Sequence, residues 1–381
     1  MTDYRYVTTD VVSGKLLADE LPLHMTSYAR QIGQEMPATG YMDLNSANAK
    51  YIQKGALETR RTLLWVLEDG YPVWVGVIWD EPMQSILDGK YQIAARTLES
   101  LFSRRRIRDP LTFTGLDYCD VWRSLLAYAT NTALKGQQAA VAGLSAQDTQ
   151  VGSLVSTSYA AGDLKDVTSA QADLATAGDF ETTFEPVLDG SGQLAIVARL
   201  AAQLGQPYQA SRLQLVFPGN LADYGWPRLG SQGANTLIAT APTSGTAGGT
   251  WTSATADGHG VDEADLAAGY PLLESAVQYN GAAITSQAQI DAYADGYLGL
   301  VGRSPTVPPI TIDTSSPAAP KIKQLGLGDQ AQFAATSLRH PARADGSPGI
   351  QQVVRIIGWQ VTPPGQGQDG KIQLTLGDVS G

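Results

Sequence analysis

The stretch RTLLWVLEDGYPVWVGVIWD, residues 61–80, decides the fold class. Leu64 and Val66 alternate with Trp65 and Leu67, Asp69-Gly70 tolerates positive φ angles, and Val73, Val75, Val77 and Trp79 alternate back. A period of two on both sides of a two-residue Asp-Gly turn specifies a β-hairpin. Upstream, YRYVTTD, a turn at Ser13-Gly14 and KLLADELPL read as another hairpin. Downstream, Asp88-Gly89 leads into the alternating KYQIAARTLES, whose end opens the basic segment SRRRIR at 103–108.

The period changes at Asp117. Val121, Trp122, Leu125, Leu126, Ala129 and Ala133 fall on one face at helical spacing, which predicts an amphipathic helix of about five turns with Asp117 or Asp120 as N-cap. Residues 141–190 are Ala, Ser, Thr, Gly and Asp with few large apolar groups, and between Ser145 and Ser191 there are eight acids and one lysine. That texture predicts a solvated, partly irregular excursion rather than core. Strand-like alternation returns at 194–200 and at 212–217, the latter ended by Pro218-Gly219. GTAGGTWTSATADGHGVDEAD (245–265) reads as a Gly/Thr-rich loop or hairpin leading to a helix near Asp262. Ser286 and Gln289 form a capping-box pattern before Ile290, Tyr293 and Tyr297, which predicts a second helix. The proline-rich VGRSPTVPPITIDTSSPAAP (301–320) is an extended connector, part edge strand. It delivers the chain to KIKQLGLGDQAQF, QQVVRIIGWQVTPP and KIQLTLGD. The expected fold is mainly β and multi-domain. Two small β-barrel-like domains are expected at 1–102 and 315–381, a helix plus acidic irregular region at 103–200, and a mixed α/β middle domain at 201–314.

A length of 381 residues exceeds the roughly 100–200 of one domain and leaves room for a sizeable core. Charged residues are only 17% of the chain, below the usual share of about 25%, so Thr, Ser, Gln and Gly must supply much of the polar surface. Forty glycines and twenty prolines favour turns and short strands. Residues 1–140 carry 15 basic and 16 acidic side chains and residues 141–381 carry 11 and 21, so nearly all of the net charge of −11 lies in the second part. Such acidity disfavours nucleic-acid grip and adsorption to acidic lipid. The lone Cys119 allows no intrachain disulfide and reads as a small buried apolar residue. MTDYRYVTTD has neither the charged nor the apolar region of a leader, and no stretch approaches the ~20 apolar residues of a spanning helix. A soluble chain, made and assembled in a cytoplasm, is expected.

Signatures of chemistry are weak. Gly365, Gly367 and Gly370 have GxGxxG spacing and Gly326, Gly328 and Ala331 the looser form, but strand or loop follows each where a phosphate cradle needs a helix. His24, His259 and His340 lack a second His or Cys at zinc-site spacing. Asp257, Asp262, Glu263 and Asp265 around His259 lack the ligand order of a calcium loop and read as a solvated acidic turn, with a metal as the alternative. No nucleophile elbow, HExxH or Walker loop is present. No catalytic residue, cofactor or metal is therefore assigned. Four of the seven tryptophans sit in strand or helix patterns and are expected in the core; Trp226 and Trp251, in Gly-rich loops, are the two candidates for an exposed contact. Arg104, Arg105, Arg106 and Arg108 are candidate interaction residues, expected to pair with acids of a neighbouring domain or subunit, with a phosphate site as the alternative.

The order YRYVTTD, ELPL, RTLLWVLEDGYPVWVGVIWD and IAARTLESLFSRRRI, with the ending GWQVTPPGQGQDGKIQLTLGD, resembles minor tail proteins of long-tailed actinobacteriophages, over residues 1–125 and 267–381. The resemblance implies a central tail-tip or baseplate hub: a structural virion protein, trimeric, joining a six-fold tail tube to a three-fold tip and forming part of the DNA conduit. Its implied partners are further copies of itself, a distal tail or tail-tube ring protein, the tape measure protein and other tail-tip or fibre proteins. Specific nucleic-acid binding and a membrane span are not implied. Because the chain ends at the final strand, receptor binding and wall degradation are expected in other proteins. The alternatives are a cell-wall or glycan-binding module and, behind it, a hydrolase with two dispersed carboxylates.

Overall fold

Asp69 and Gly70 take φ angles of 49° and 78° in the computed structural model, the paired positive values that an Asp-Gly hairpin turn requires. The structure describes residues 3–82, 86–131, 139–225, 234–242, 255–278, 287, 290–291, 293–295, 298, 309–365 and 370–377. Residues 1–224 with 309–381 form one compact unit and residues 225–308 a second.

The N-terminal strands are β1 (Tyr4–Asp10), β2 (Leu16–Ala18), β3 (Leu23–Gln31), β4 (Pro37–Asp43), β5 (Thr62–Glu68), β6 (Tyr71–Asp80) and β7 (Lys90–Thr97), with helices α1 (Ala49–Gln53) and α2 (Glu99–Phe102). Next come β8 (Leu111–Asp117), α3 (Tyr118–Asn131), β9 (Leu144–Ala146), β10 (Leu154–Tyr159), α4 (Val167–Ala177), β11 (Glu181–Leu188) and β12 (Leu194–Ala201). After α5 (Tyr208–Ser211) lie β13 (Leu213–Phe217) and β14 (Asp223–Tyr224). The second unit holds β15 (Thr236–Pro242), β16 (Thr255–Val261), α6 (Glu263–Ala267) and β17 (Glu274–Gln278). The chain closes with β18 (Ile310–Asp313), β19 (Gln330–Ala335), β20 (Ile350–Thr362) and β21 (Lys371–Gly377).

Strands from both ends of the chain share one sheet, in the order β14-β18-β21-β20-β3-β4-β7-β6-β5-β1-β2, with β19 also on β20 and β13 on β19. The joint is β20. Its first half pairs with β19, from Arg355↔Gln330 to Ile350↔Ala335, and its second half with β3, from Gly358↔Gln31 to Val361↔Tyr28. Along its other edge β21 runs antiparallel. The expectation of a mainly β chain holds, and that of barrel-like ends is corrected: the described strands form no closed barrel. A strand of 13 residues can serve three neighbours, so the terminal strands satisfy their backbone groups on each other without curling closed.

Both faces of the β5–β6 hairpin are covered. All seven residues of β5 are buried. Leu63, Trp65, Leu67, Val75 and Val77 point into a core shared with α3 and α4, whereas Leu64, Val66, Trp74 and Ile78 are buried on the opposite face. The two indoles are anchored: Trp65 Nε1 donates to Thr9 Oγ1 at 2.9 Å and Trp74 Nε1 to the Ala29 carbonyl at 2.8 Å. At Gly76 a Cβ would lie 2.3 Å from the Arg96 carbonyl oxygen, so only glycine lets β6 and β7 approach there.

The predicted helix is α3, with Val121, Trp122, Leu125, Leu126 and Ala129 buried; Ala133 lies outside the described residues. Asp117 accepts the Cys119 amide at 2.8 Å just ahead of its first turn. The solvated excursion is corrected. Within 141–190 the chain forms β9, β10, α4 and β11, and Val167, Ala170, Leu174, Phe180 and Phe184 enter the same core as Trp122. A narrow buried face on α4, with polar residues around it, conceals this in any average over the segment, and Gln171 Nε2 donates to the Trp122 carbonyl at 3.2 Å across the α3–α4 contact.

Two arginines tie distant parts of the chain together. Arg355 on β20 gives Nη1 to Glu181 Oε1 at 2.6 Å, Nη2 to Glu181 Oε2 and to the Leu204 carbonyl (2.9 Å), and Nε to the Gly328 carbonyl at 3.1 Å. Arg30 on β3 donates to the Phe184 carbonyl at 3.0 Å and lies over the Trp359 ring. At the hairpin tip Lys321 pairs with Asp69. Glu68, buried beside it, accepts the Lys323 amide at 3.3 Å; burial pushes its carboxyl up, against the pull of the Lys323 and Ile322 amides.

In the second unit β15 is central, antiparallel to β16 and parallel to β17. Leu237, Ala239, Ile290, Ala294 and Leu298 make its core. The hairpin and the helix near Asp262 match the sequence reading; Ser286, Gln289 and Tyr297 lie outside the described residues.

Candidate interaction surfaces

The arginine cluster is built by α2 and the turn after it, and the structure spends most of it inside the chain. The Arg104 guanidinium stacks on Trp79, 4.8 Å from the ring centroid. Arg105 Nη1 donates to the Ala129 carbonyl at 3.0 Å, near the C-terminus of α3, where a cation meets unsatisfied carbonyls; burial, then the Arg108 charge, lowers its pKa. Arg106 faces Asp166 at 3.3 Å. The Arg108 amide donates to Tyr128 Oη at 2.9 Å. Between them Ile107 is buried, and the backbone zips to the 165–167 segment through Ile107 N to Lys165 O (2.9 Å) and Val167 N to Arg105 O (3.0 Å). Arg104 and Arg106 are exposed, and Arg105 and Arg108 half-buried.

Trp226 and Trp251 lie outside the described residues. The other five tryptophans are internal: Trp65, Trp74, Trp122 and Trp359 are buried, and half-buried Trp79 donates to Ser100 Oγ at 2.7 Å. Gly328 is followed by β19, a strand, and its backbone packs against that of Leu204, so no helix N-terminus meets these glycines. Gly365 and Gly370 flank the β20–β21 connection; Gly367 lies outside the described residues. His24 stacks on Tyr41 and faces Asp43 at 3.5 Å. Among the described residues no three His, Cys, Asp or Glu side chains gather as a metal site; those of Asp257, His259 and Asp265 lie outside them. No described helix is long and apolar enough to cross a membrane. Burial, then the Asp117 charge, pushes the Cys119 thiol up to about 11.

Two surface features escaped the sequence reading. The first is a groove of about 300 Å³ between α3 and β9, lined by Arg123, Leu126, Thr130, Val141, Leu144 and Ala146 among others. At one end Arg123 is clamped by Asp120, by Asp148 at 3.1 Å and by the Thr149 carbonyl at 2.5 Å. The second is the loop between β19 and β20, which holds Leu338 in solvent. An apolar residue inside SLRHPARADGSPG, where Pro, Gly and Arg exclude a strand, was the available signal for it.

No family model and no curated protein sequence matches the chain. Solved structures do. A tail protein from Neisseria meningitidis MC58 superposes with a TM-score of 0.54 at 13% identity, over 98% of this chain and 97% of that one. The 43 kDa tail protein of prophage MuSo2 from Shewanella oneidensis gives 0.57 at 10% identity, over 98% of both chains. A PdpA–VgrG complex gives 0.59 at 8% identity, over 99% of this chain and 65% of that one. The chain has the fold of these proteins, the first two of which are tail proteins.

Proposed function

We propose that the chain is a structural component of a phage-type tail tip: a homotrimeric hub that joins a six-fold tail tube to a three-fold tip and lines part of the DNA path. The observation that carries this reading is a likeness extending over nearly the whole of two tail proteins rather than over one shared module. Each end of the chain contributes a set of strands to the one large sheet, so each of three copies would meet a six-fold neighbour with strands from both of its ends. A ring of this kind needs a heterologous interface that closes on itself. The partners follow from position: a tail-tube or distal tail ring above, the tape measure protein within, fibre or tip proteins below. The role is mechanical, without catalysis, at the tail tip of the virion. The acids of residues 141–381 suit a conduit, because each phosphate neutralised by Lys or Arg would add salt-dependent affinity and hold the passing polymer.

Native mass measurement and particle imaging of the purified chain test this. Three copies around one axis, with acids on the inner wall and no retention of duplex DNA at moderate salt, are expected. A chain that stays monomeric at every concentration refutes the hub, and acids confined to the outer wall refute the conduit.

A further inference from the structure

Leu338 has a relative exposure of 106%, yet the loop that carries it is built rather than loose. Ser337 N donates to the His340 carbonyl at 2.9 Å and His340 N returns to the Ser337 carbonyl at 3.1 Å. Tyr224 Oη reaches Ser337 Oγ at 2.6 Å and His340 Nδ1 at 3.0 Å, and its ring packs against Phe217 and Phe333. Further along, Arg343 N donates to the Ser347 carbonyl at 2.9 Å, and at Gly349 a Cβ would lie 2.3 Å from the His340 carbonyl oxygen. The fold thus fixes a leucine in water, forgoing the burial that an apolar side chain gains. Arg339 and Arg343 flank it, both exposed, and the Arg343 charge also acts on Asp345 within the loop, which leaves the loop tip with a positive excess.

The groove between α3 and β9 has the opposite character. Leu126, Val141, Leu144 and Ala146 give it apolar walls, and exposed Ala127 leaves its rim low. Its size is at the lower limit of small-ligand pockets, suited to the tip of a loop. At the Arg123 end two carboxylates, Asp120 and Asp148, face one guanidinium, leaving a negative excess, and Asp148 is almost fully exposed. Among the described strands β9 pairs with β12 alone, and its other edge runs beside the groove.

We propose that the loop of one copy docks on the groove of the next, with Leu338 between Leu126 and Leu144 and with Arg339 and Arg343 facing Asp120 and Asp148. The inference rests on the ring-forming reading above and supplies its interface. Loop and groove are different patches, so each copy gives one contact and receives one, the heterologous arrangement that closes a ring or extends a filament. An apolar centre ringed by polar and charged groups is also the anatomy of stable interfaces.

The test uses the full chain in a Cys119→Ser background with Leu338→Cys and Ala127→Cys together, oxidised and run without reductant, beside native mass measurement of Leu338→Asp. Expected are disulfide-linked dimers and trimers from the double variant, none from either single variant, and self-association weakened about tenfold or more by Leu338→Asp at an unchanged melting temperature. Cross-links that accumulate well beyond three copies would leave the docking standing and remove the three-fold ring. A trimer untouched by Leu338→Asp and lacking the cross-link would overturn the docking and leave the hub. Absence of both self-association and cross-links would remove both, and links formed by Leu338→Cys alone would refute the heterologous contact.

Discussion

Replacing Arg355 by Met should cost the larger unit about 3–4 kcal/mol. The magnitude follows from what the guanidinium leaves behind. Glu181 keeps one amide donor, Leu204 N at 2.8 Å, while its carboxylate, a quarter exposed, loses both bonds to Arg355. The carbonyls of Gly328 and Leu204 lose their arginine donors as well. Breaking a buried pair from one side costs about 3–5 kcal/mol, and the partial exposure of Glu181 places this case in the lower part of that range. Removing both charges, Arg355→Met with Glu181→Met, relieves the stranded carboxylate and should leave a deficit of only about 1–2 kcal/mol, less than the cost of the Arg355→Met single variant and so far from additive. Urea denaturation followed by tryptophan fluorescence measures this; the single variant should lower the midpoint by about 1 M at an unchanged slope. A single variant within about 1 kcal/mol of the parent, or two single effects that simply add, would show that the network does not hold β11, β20 and the 204–206 turn together.

Gly70→Val should destabilise by about 1–2 kcal/mol through positive-φ strain alone, since a Cβ there meets nothing within 4 Å; an unchanged melting temperature would contradict the turn. Gly76→Ala, where the Cβ has no room, should lower the melting temperature by more than Gly70→Val, and the reverse order would refute the close β6–β7 approach. Burial pushes the Asp10 carboxyl up, but hydrogen bonds from Ser13, Arg61 and Val12 outweigh it and hold the pKa at about 2. Its folded pKa being depressed, Asp10 stabilises above 3.8 and loses that contribution as pH falls towards about 2; the stability gap between parent and Asp10→Asn should close over this window, and a constant gap would argue against the linkage. Cys119 should resist alkylation at mildly alkaline pH until the chain is unfolded, because its thiol is buried and its pKa is near 11; rapid native labelling would contradict that placement.

The hairpins and α3 were legible because their signals are local. Asp69-Gly70, Asp88-Gly89 and the alternation around them need no knowledge of distant chain. The core role of 141–190 was not, because α4 buries only Val167, Ala170 and Leu174 among its apolar residues, three side chains diluted by Thr, Ser, Gln and Asp until α3 is seen beside them. The union of the two ends was also hidden: nothing in the local pattern of Leu23–Gln31 or of Ile350–Thr362 says that they pair. SRRRIR drew attention as a charge run, yet Arg105 works at a helix terminus and Ile107 in the core. The surfaces argued for assembly depend on exposure, which a period-two or period-3.6 pattern does not report for a loop.

The pairing of β3 with β20 also sets a timetable. Gln31 and Gly358 are partners across roughly 330 residues of chain, which a ribosome releasing about 5–20 residues per second takes tens of seconds to supply. Throughout that interval the N-terminal strands can pair among themselves, but the outer edge of β3 has no cover. An uncovered strand edge recruits any extended segment nearby, including the same edge on another nascent chain. These late-made strands therefore act as a seal, and until they arrive the nascent chain keeps an edge open to wrong partners.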